Sequence, residues 1–516
     1  MDNAEVLIFL LVAIALLAGA GLRLNVPYPV VLVLGGLALG LVPGLPDPDL
    51  DPDVVFFAFL PPLLYAAAFQ ASAYELRANA APIGLLAIGL VLVTVVAIAA
   101  AAHWAVGLPW VPALVLGAVL GPTDPVSATA IARRLGAPAR LESILEGEAL
   151  VNDGTGLTAY KIALGAAGAA SVSAGHAVVE FVLVAVGGIV IGVAVGWIAA
   201  HLRIAAREPS IDVVLSVLTP FAAYVPAEKV GASGVLAVVA AGVYVGTRSA
   251  DLAQADVRLR TLGFWQSSEF LLNSLLFLLI GLQVTRIFGD IEGAKLGTIA
   301  AQAALVAAVA IGVRFAWMFV VPEIADLSLI GRSYTSRRER VVLAWSGMRG
   351  GVSLAAALAI PLDAFAERDL VILLAYGAVL ITLVLPGLTL APLIGRLGLS
   401  QSDERRRQEV EARMRLTNAA LERLAEMGEH GQEDEAVDRL RDRYQSRLER
   451  LRDRLERAGG HPDHGTDAAE AQVAVLDHER DILREMRRER AFPSDLLRSL
   501  EAELDVDEAR VRSRGR

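Results

Sequence analysis

Two short stretches hold most of the chemistry available to this chain. The first reads Gly121-Pro122-Thr123-Asp124-Pro125-Val126, and the second Glu146-Gly147-Glu148-Ala149-Leu150-Val151-Asn152-Asp153-Gly154. Both lie inside long apolar runs, where an unpaired charge is costly. Carboxylates in such a setting need a basic partner, a cation or a proton. Pro122 and Pro125 cannot share one continuous helix, since each removes a donor and clashes with the turn before it. The stretch therefore predicts a stop and a restart. Gly121 and Pro122 end one half-helix, Asp124 N-caps the next, and Pro125 takes its first position. Freed carbonyls at a break in mid-membrane are good cation ligands. A proline kink without function is the plainer alternative.

In the second stretch Glu148 and Asn152 stand four apart and share a helix face, while Asp153 projects about 100° away from Asn152. Arg314, in Ile311-Gly312-Val313-Arg314-Phe315-Ala316-Trp317, is the best partner for Glu148 as a buried pair. The alternative is an Arg that snorkels to the interface. Arg349 lies in Ser346-Gly347-Met348-Arg349-Gly350-Gly351, a second glycine-broken segment whose exposed carbonyls it can offset. Lys161 is expected to reach for the outer interface. Asp212 and Glu269 fall at or near the ends of apolar runs and are given no role. His103, His176 and His201 are read as interfacial for the same reason.

These residues need elements that hold them at depth. The chain has 516 residues, 55% of them hydrophobic, with a mean hydropathy of +0.55. Apolar runs of about 20 residues, long enough to cross a bilayer, recur throughout its first 400 positions. Thirteen candidate spans are expected, among them 110–135, 140–169, 294–321 and 339–360. Met1 to Glu5 holds two acids and no base, so the opening run reads as a retained span and not a signal peptide. Fourteen Arg follow odd-numbered spans, and only four Lys or Arg follow even-numbered ones. That bias puts the odd loops and the C-terminal tail in the cytoplasm and the N-terminus outside. The break after Gly121 and Asp153 each lie about 20 Å into their spans, so they share a depth. The glycine break near Arg349 runs antiparallel to the first, as an inverted repeat requires.

More than half of the charged residues fall after position 400. Residues 1–400 are thus expected to form the membrane domain and 401–516 a charge-rich helical tail. Val437, Leu440, Tyr444, Leu448, Leu451 and Leu455 make a heptad-like seam, with Gly459-Gly460 and Pro493 dividing the tail into about four helices. Two readings of the tail stand: a hairpin packed on itself, and a regulatory or dimer-supporting coiled coil.

Several classes fall away. A net charge of −10 argues against nucleic acid as a partner. The absence of cysteine excludes disulfides and thiolate chemistry. No His-rich cluster, Ser/His/Asp set or phosphate loop points to an enzyme, and no cofactor is implied. A channel or sensor on the same scaffold remains a rival to a carrier; a channel would pass current under voltage.

The segments Phe59-Leu60-Pro61-Pro62-Leu63-Leu64-Tyr65, Gly121 to Val126, Glu146 to Asp153 and Gly347-Met348-Arg349-Gly350-Gly351 resemble the NhaP-type bacterial sodium/proton antiporters of the monovalent cation:proton antiporter-1 family. The resemblance covers residues 1–400. It implies an all-α membrane protein of about thirteen spans with inverted repeats and two crossed broken helices. A core of spans four to six and eleven to thirteen (about 81–169 and 294–396) would move against a dimerisation scaffold in a homodimer. Asp153 would be the carboxylate shared by Na⁺, or Li⁺ or K⁺, and the proton. Asn152 and Thr123 would help form the site, Asp124 would compensate the broken helices, and Glu148 would pair with Arg314. The Asn-Asp pair goes with electroneutral exchange. One departure stands out: where the family often has an acid after its Pro-Pro-Leu-Leu segment, this chain has Ala66.

Overall fold

The structure is a computed structural model that describes residues 3–24, 26–42, 55–124, 126–166, 174–206, 208–252, 255–289, 293–324, 336–399, 402–429 and 435–457. The chain forms two compact units, Met1–Ser402 and Asp403–Arg516. Among the described residues both are helical, without a strand.

The first unit begins with α1 (Asn3–Leu24), α2 (Tyr28–Gly40) and α3 (Leu60–Gln70). A π-helical turn at Val55–Phe59 leads into α3, whose Pro61 and Pro62 sit in the first turn, where a missing N–H costs nothing. A short α4 (Ala73–Ala78), capped by the Ser72 hydroxyl, turns the chain into α5 (Ala80–Val106). Then follow α6 (Trp110–Leu120), α7 (Val126–Arg134), α8 (Ala139–Gly165), α9 (Ala174–Ala206), α10 (Pro209–Lys229), α11 (Gly234–Leu252), α12 (Ala255–Gly289) and α13 (Gly293–Ile324). The unit closes with α14 (Arg337–Trp345), α15 (Gly351–Leu358) and α16 (Arg368–Arg396). Among the described residues, seven helices are long and apolar enough to cross a membrane: α1, α5, α9, α10, α12, α13 and α16. Shorter apolar helices at α2, α3, α6 and α11 join them. Helix α8 fails that test through its composition, since it carries Arg140, Glu142, Glu146, Glu148, Asp153 and Lys161. The helix least suited to lipid is the one that bears the chemistry.

Packing sorts these helices. α5, α6, α8, α13 and α16 enclose one another and both broken segments, and this apolar core continues through α2 and the middle of α12. A second core joins α3, α9, α10 and α11 around Trp265 of α12. α9 turns Val178, Leu183, Val186, Val190 and Trp197 outward. A row of exposed apolar side chains on a helix this long is a lipid-facing surface.

The second unit contains α17 (Ser402–Glu429) and α18 (Glu435–Arg457). They are tied by Arg441 Nη2, which donates to the Leu424 carbonyl at 3.4 Å, and Leu424, Leu448 and Leu451 are buried. The expected seam is uneven: Leu440 is exposed, whereas Leu448 and Leu451 are not. Gly459-Gly460, Pro493 and the further tail helices expected around them lie outside the described residues.

Candidate functional site

The first break forms where two prolines forbid a continuous helix. α6 stops at Leu120, and α7 begins at Val126 with its backbone N–H donating to Asp124 Oδ1 at 3.0 Å. The carboxylate thus caps the positive end of α7. Pro125 is outside the described residues. The second break follows the same logic with glycines. α14 opens on a capping box between Ser336 and Glu339 and ends at Trp345; five residues later Gly350 leads into α15. The two breaks touch through backbone alone, the Asp124 N–H donating to the Met348 carbonyl at 2.7 Å. That approach requires Gly350, because a Cβ there would collide with the Asp124 side chain. Arg349 spans the crossing. Its Nε donates to the Leu120 carbonyl at 3.0 Å and its Nη1 to the Gly347 carbonyl at 3.0 Å. One buried guanidinium therefore satisfies freed carbonyls from both breaks.

α8 lies against this crossing, its Gly156 packed on the Pro122 ring. Asn152 Nδ2 donates to the Thr123 carbonyl at 2.6 Å and to Thr123 Oγ1 at 3.0 Å. Thr123 Oγ1 in turn donates to Glu148 Oε1 at 2.7 Å. Arg314 grips the same carboxylate with both terminal nitrogens, Nη1 on Oε1 and Nη2 on Oε2 at 2.8 Å, and its Nε donates to the Leu343 carbonyl at 2.9 Å. Glu148 and Arg314 are each 2% exposed, so the snorkelling alternative for Arg314 does not occur. Asn152 Oδ1 is buried and has no hydrogen-bond partner.

Asp153 stands apart from this network. It is only partly buried, and among the described residues no protein donor reaches its carboxylate. Among the described residues, the other two carboxylates at the crossing are engaged, Glu148 by Arg314 and Asp124 by the α7 N-terminus. Asn152, one residue from Asp153, faces the break instead, as their 100° separation dictates.

Lys161, half-exposed, meets Glu228 Oε2 at 2.6 Å in the last turn of α10. Other expectations changed. Asp212 does have a partner: it accepts from Arg203 Nε at 2.7 Å, Arg203 Nη2 at 2.8 Å and Thr261 Oγ1 at 3.0 Å, all buried. The signal was an Arg and an Asp nine residues apart across a tight turn between two spans, where each shields the other. Glu269 is not at a span end either; it lies well inside α12 and accepts from Gln70 Nε2 at 3.2 Å. The same Gln70 amide donates to the carbonyl of the buried Ala66 at 3.1 Å. His103 stacks on Trp110 at 4.3 Å with its Nδ1 at 2.7 Å from the Leu108 carbonyl, and His201 Nδ1 lies 2.7 Å from the Trp197 carbonyl. The His176 side chain is outside the described residues.

Residues 9–396 match the sodium/hydrogen exchanger transmembrane family. The chain belongs to that family. It is therefore a multi-pass membrane protein and a secondary transporter exchanging a cation for protons, not an enzyme. This exchanger is 33% identical to an uncharacterized Na⁺/H⁺ exchanger of Mycobacterium tuberculosis, over 98% of this chain and 96% of that protein. It is 34% identical to the Na⁺/H⁺ antiporter ApNhaP of Aphanothece halophytica, over 78% of this chain and 75% of that one. Its fold is similar to the solved structure of the sodium proton antiporter MjNhaP1 from Methanocaldococcus jannaschii. The TM-score is 0.61 at 22% sequence identity, over 77% of this chain and 99% of that chain. These likenesses identify an NhaP-type antiporter with an all-helical fold.

Proposed function

We propose that the exchanger carries one Na⁺, or Li⁺ or K⁺ in its place, against one proton, with Asp153 as the carboxylate for which they compete. The observation that carries this reading is the contrast at the crossing. Glu148, Arg314, Arg349 and Asp124 are committed to one another or to freed backbone, and Asp153 alone is not. Ionised, Asp153 attracts a cation, which Thr123 and the Asn152 carbonyl oxygen help to surround. Protonated, it has no net charge to hold one. Movement of the core helices about the crossing would open the site to one side at a time. One carboxylate that exchanges one unit charge for another makes the cycle electroneutral. Thirteen passes, an outer N-terminus, a cytoplasmic tail and a homodimer complete the proposal, and the distribution of Arg among the loops supports that orientation.

The test is exchange in proteoliposomes with a pH-sensitive dye. Asp153→Asn should abolish proton movement driven by Na⁺, Li⁺ and K⁺ while eluting as a folded protein. Retained exchange in that variant overturns the assignment. A membrane potential imposed with valinomycin should leave the wild-type rate unchanged.

A further inference from the structure

A carboxylate outside the crossing lies on a helix that also touches it. Glu269 projects from α12, which packs mainly against α2, α3 and α10 and also touches α15 and α16. Its carboxylate is only partly buried and is held from one side, by Gln70 Nε2 at 3.2 Å. The Gln70 amide is itself fixed by the Ala66 carbonyl at 3.1 Å, so α3 and α12 together set where the carboxylate points. Leu276, seven residues further along α12 and so on the same face as Glu269, packs on Gly351 at the second break. The face of α12 that bears Glu269 therefore leads to the crossing. Glu146 and Asp153 are also seven residues apart, two helical turns, and share one face of α8.

Depth adds a second argument. Counted from Arg140, Glu146 lies about 9 Å along α8 and Asp153 about 20 Å. Counted from Arg260, on the same side, Glu269 lies about 14 Å along α12. It falls between the basic rim and the proposed ion site. Glu146 is already engaged by Arg133, and Asp124 by the α7 N-terminus. Among the described residues Glu269 is bonded by a neutral amide and by no basic side chain, so no ion pair is in place before a cation arrives. Negative charge in a low-dielectric cleft concentrates cations and speeds their arrival.

We propose that Glu269 is the approach residue for the cation: it recruits Na⁺ from the Arg133 side and hands it to Asp153, and thereby sets the apparent affinity on that side. This rests on the exchange reading above. The experiment compares wild type, Glu269→Gln, Glu269→Asp and Gln70→Leu in vesicles oriented so that the Arg133 side faces the added Na⁺. Glu269→Gln should raise half-saturating Na⁺ roughly tenfold, the low end of electrostatic steering, and much more than it lowers the maximal rate. Added choline chloride should shrink the difference, and Glu269→Asp should restore most of it. Gln70→Leu should give a smaller shift in the same direction. An unchanged half-saturating Na⁺ in Glu269→Gln, or a loss of maximal rate alone, overturns the proposal. If Glu269→Gln does not fold, an unchanged value in Gln70→Leu does so instead. Asp153→Asn in the same vesicles separates the two ideas, since its failure to abolish exchange strikes the site and not the approach.

Discussion

Two buried Arg–carboxylate pairs share one design and serve different regions. Glu148–Arg314 sits at the crossing; Arg203–Asp212 sits among α9, α10 and α12. In each, two guanidinium nitrogens meet two carboxylate oxygens, and a threonine adds a third bond: Thr123 in one, Thr261 in the other. The pairs differ in reach. Arg203 and Asp212 are nine residues apart, and Arg203 leaves Nη1 buried without a partner. Glu148 and Arg314 are 166 residues apart, and Arg314 spends its Nε on the Leu343 carbonyl near the second break. The first pair closes a local turn. The second binds the two repeats to each other, and through Thr123 and Asn152 it fixes the backbone beside Asp153. Equal chemistry thus gives a staple in one place and a frame for the proposed ion site in the other.

The largest test of that difference removes the arginines. Arg314→Ala and Arg203→Ala each strand a buried carboxylate, and each should cost about 3–5 kcal/mol of stability. Thermal melts in detergent should drop comparably for both. Exchange per folded molecule should separate them, with Arg314→Ala inactive and Arg203→Ala near wild type at the wild-type half-saturating Na⁺. A shifted Na⁺ dependence in Arg203→Ala would break the comparison. The threonines sharpen it at a lower level. Thr123→Val and Thr261→Val should each cost about 1–3 kcal/mol, the penalty for an acceptor left short of a donor. Only Thr123→Val should slow exchange. The smallest effect belongs to the half-exposed Lys161–Glu228 pair, where Lys161→Ala should change stability by at most about 1 kcal/mol, measured by the same melt.

What the residues disclosed in advance follows from how local each signal is. Pro122 and Pro125 force a break by their own covalent geometry, so the stop after Leu120 and the Asp124 cap were legible without a partner in view. Glu148 and Arg314 pointed to each other because each was a strong charge deep in an apolar run. The Arg203–Asp212 pair was not legible, since charges near span ends are ordinarily met by water and headgroups. Glu269 was missed for a related reason: its depth depends on where α12 begins, and that helix starts seven residues before the apolar run suggests. The Thr123–Glu148 bond depends on how α8 leans on the break, which no spacing encodes. The Glu228 partner of Lys161 was not legible, because it comes from a helix far along the chain.

The join between the two breaks runs from the Asp124 N–H to the Met348 carbonyl, and neither atom belongs to a side chain. Almost any amino acid placed at either position would present the same donor and the same acceptor. Substitution at positions 124 and 348 can strip the side chains, and the join keeps its two atoms as long as Gly350 leaves room for them. Proline at position 124 is the one natural residue without that N–H. The fold has placed its most central bond where inheritance has the least power to change it.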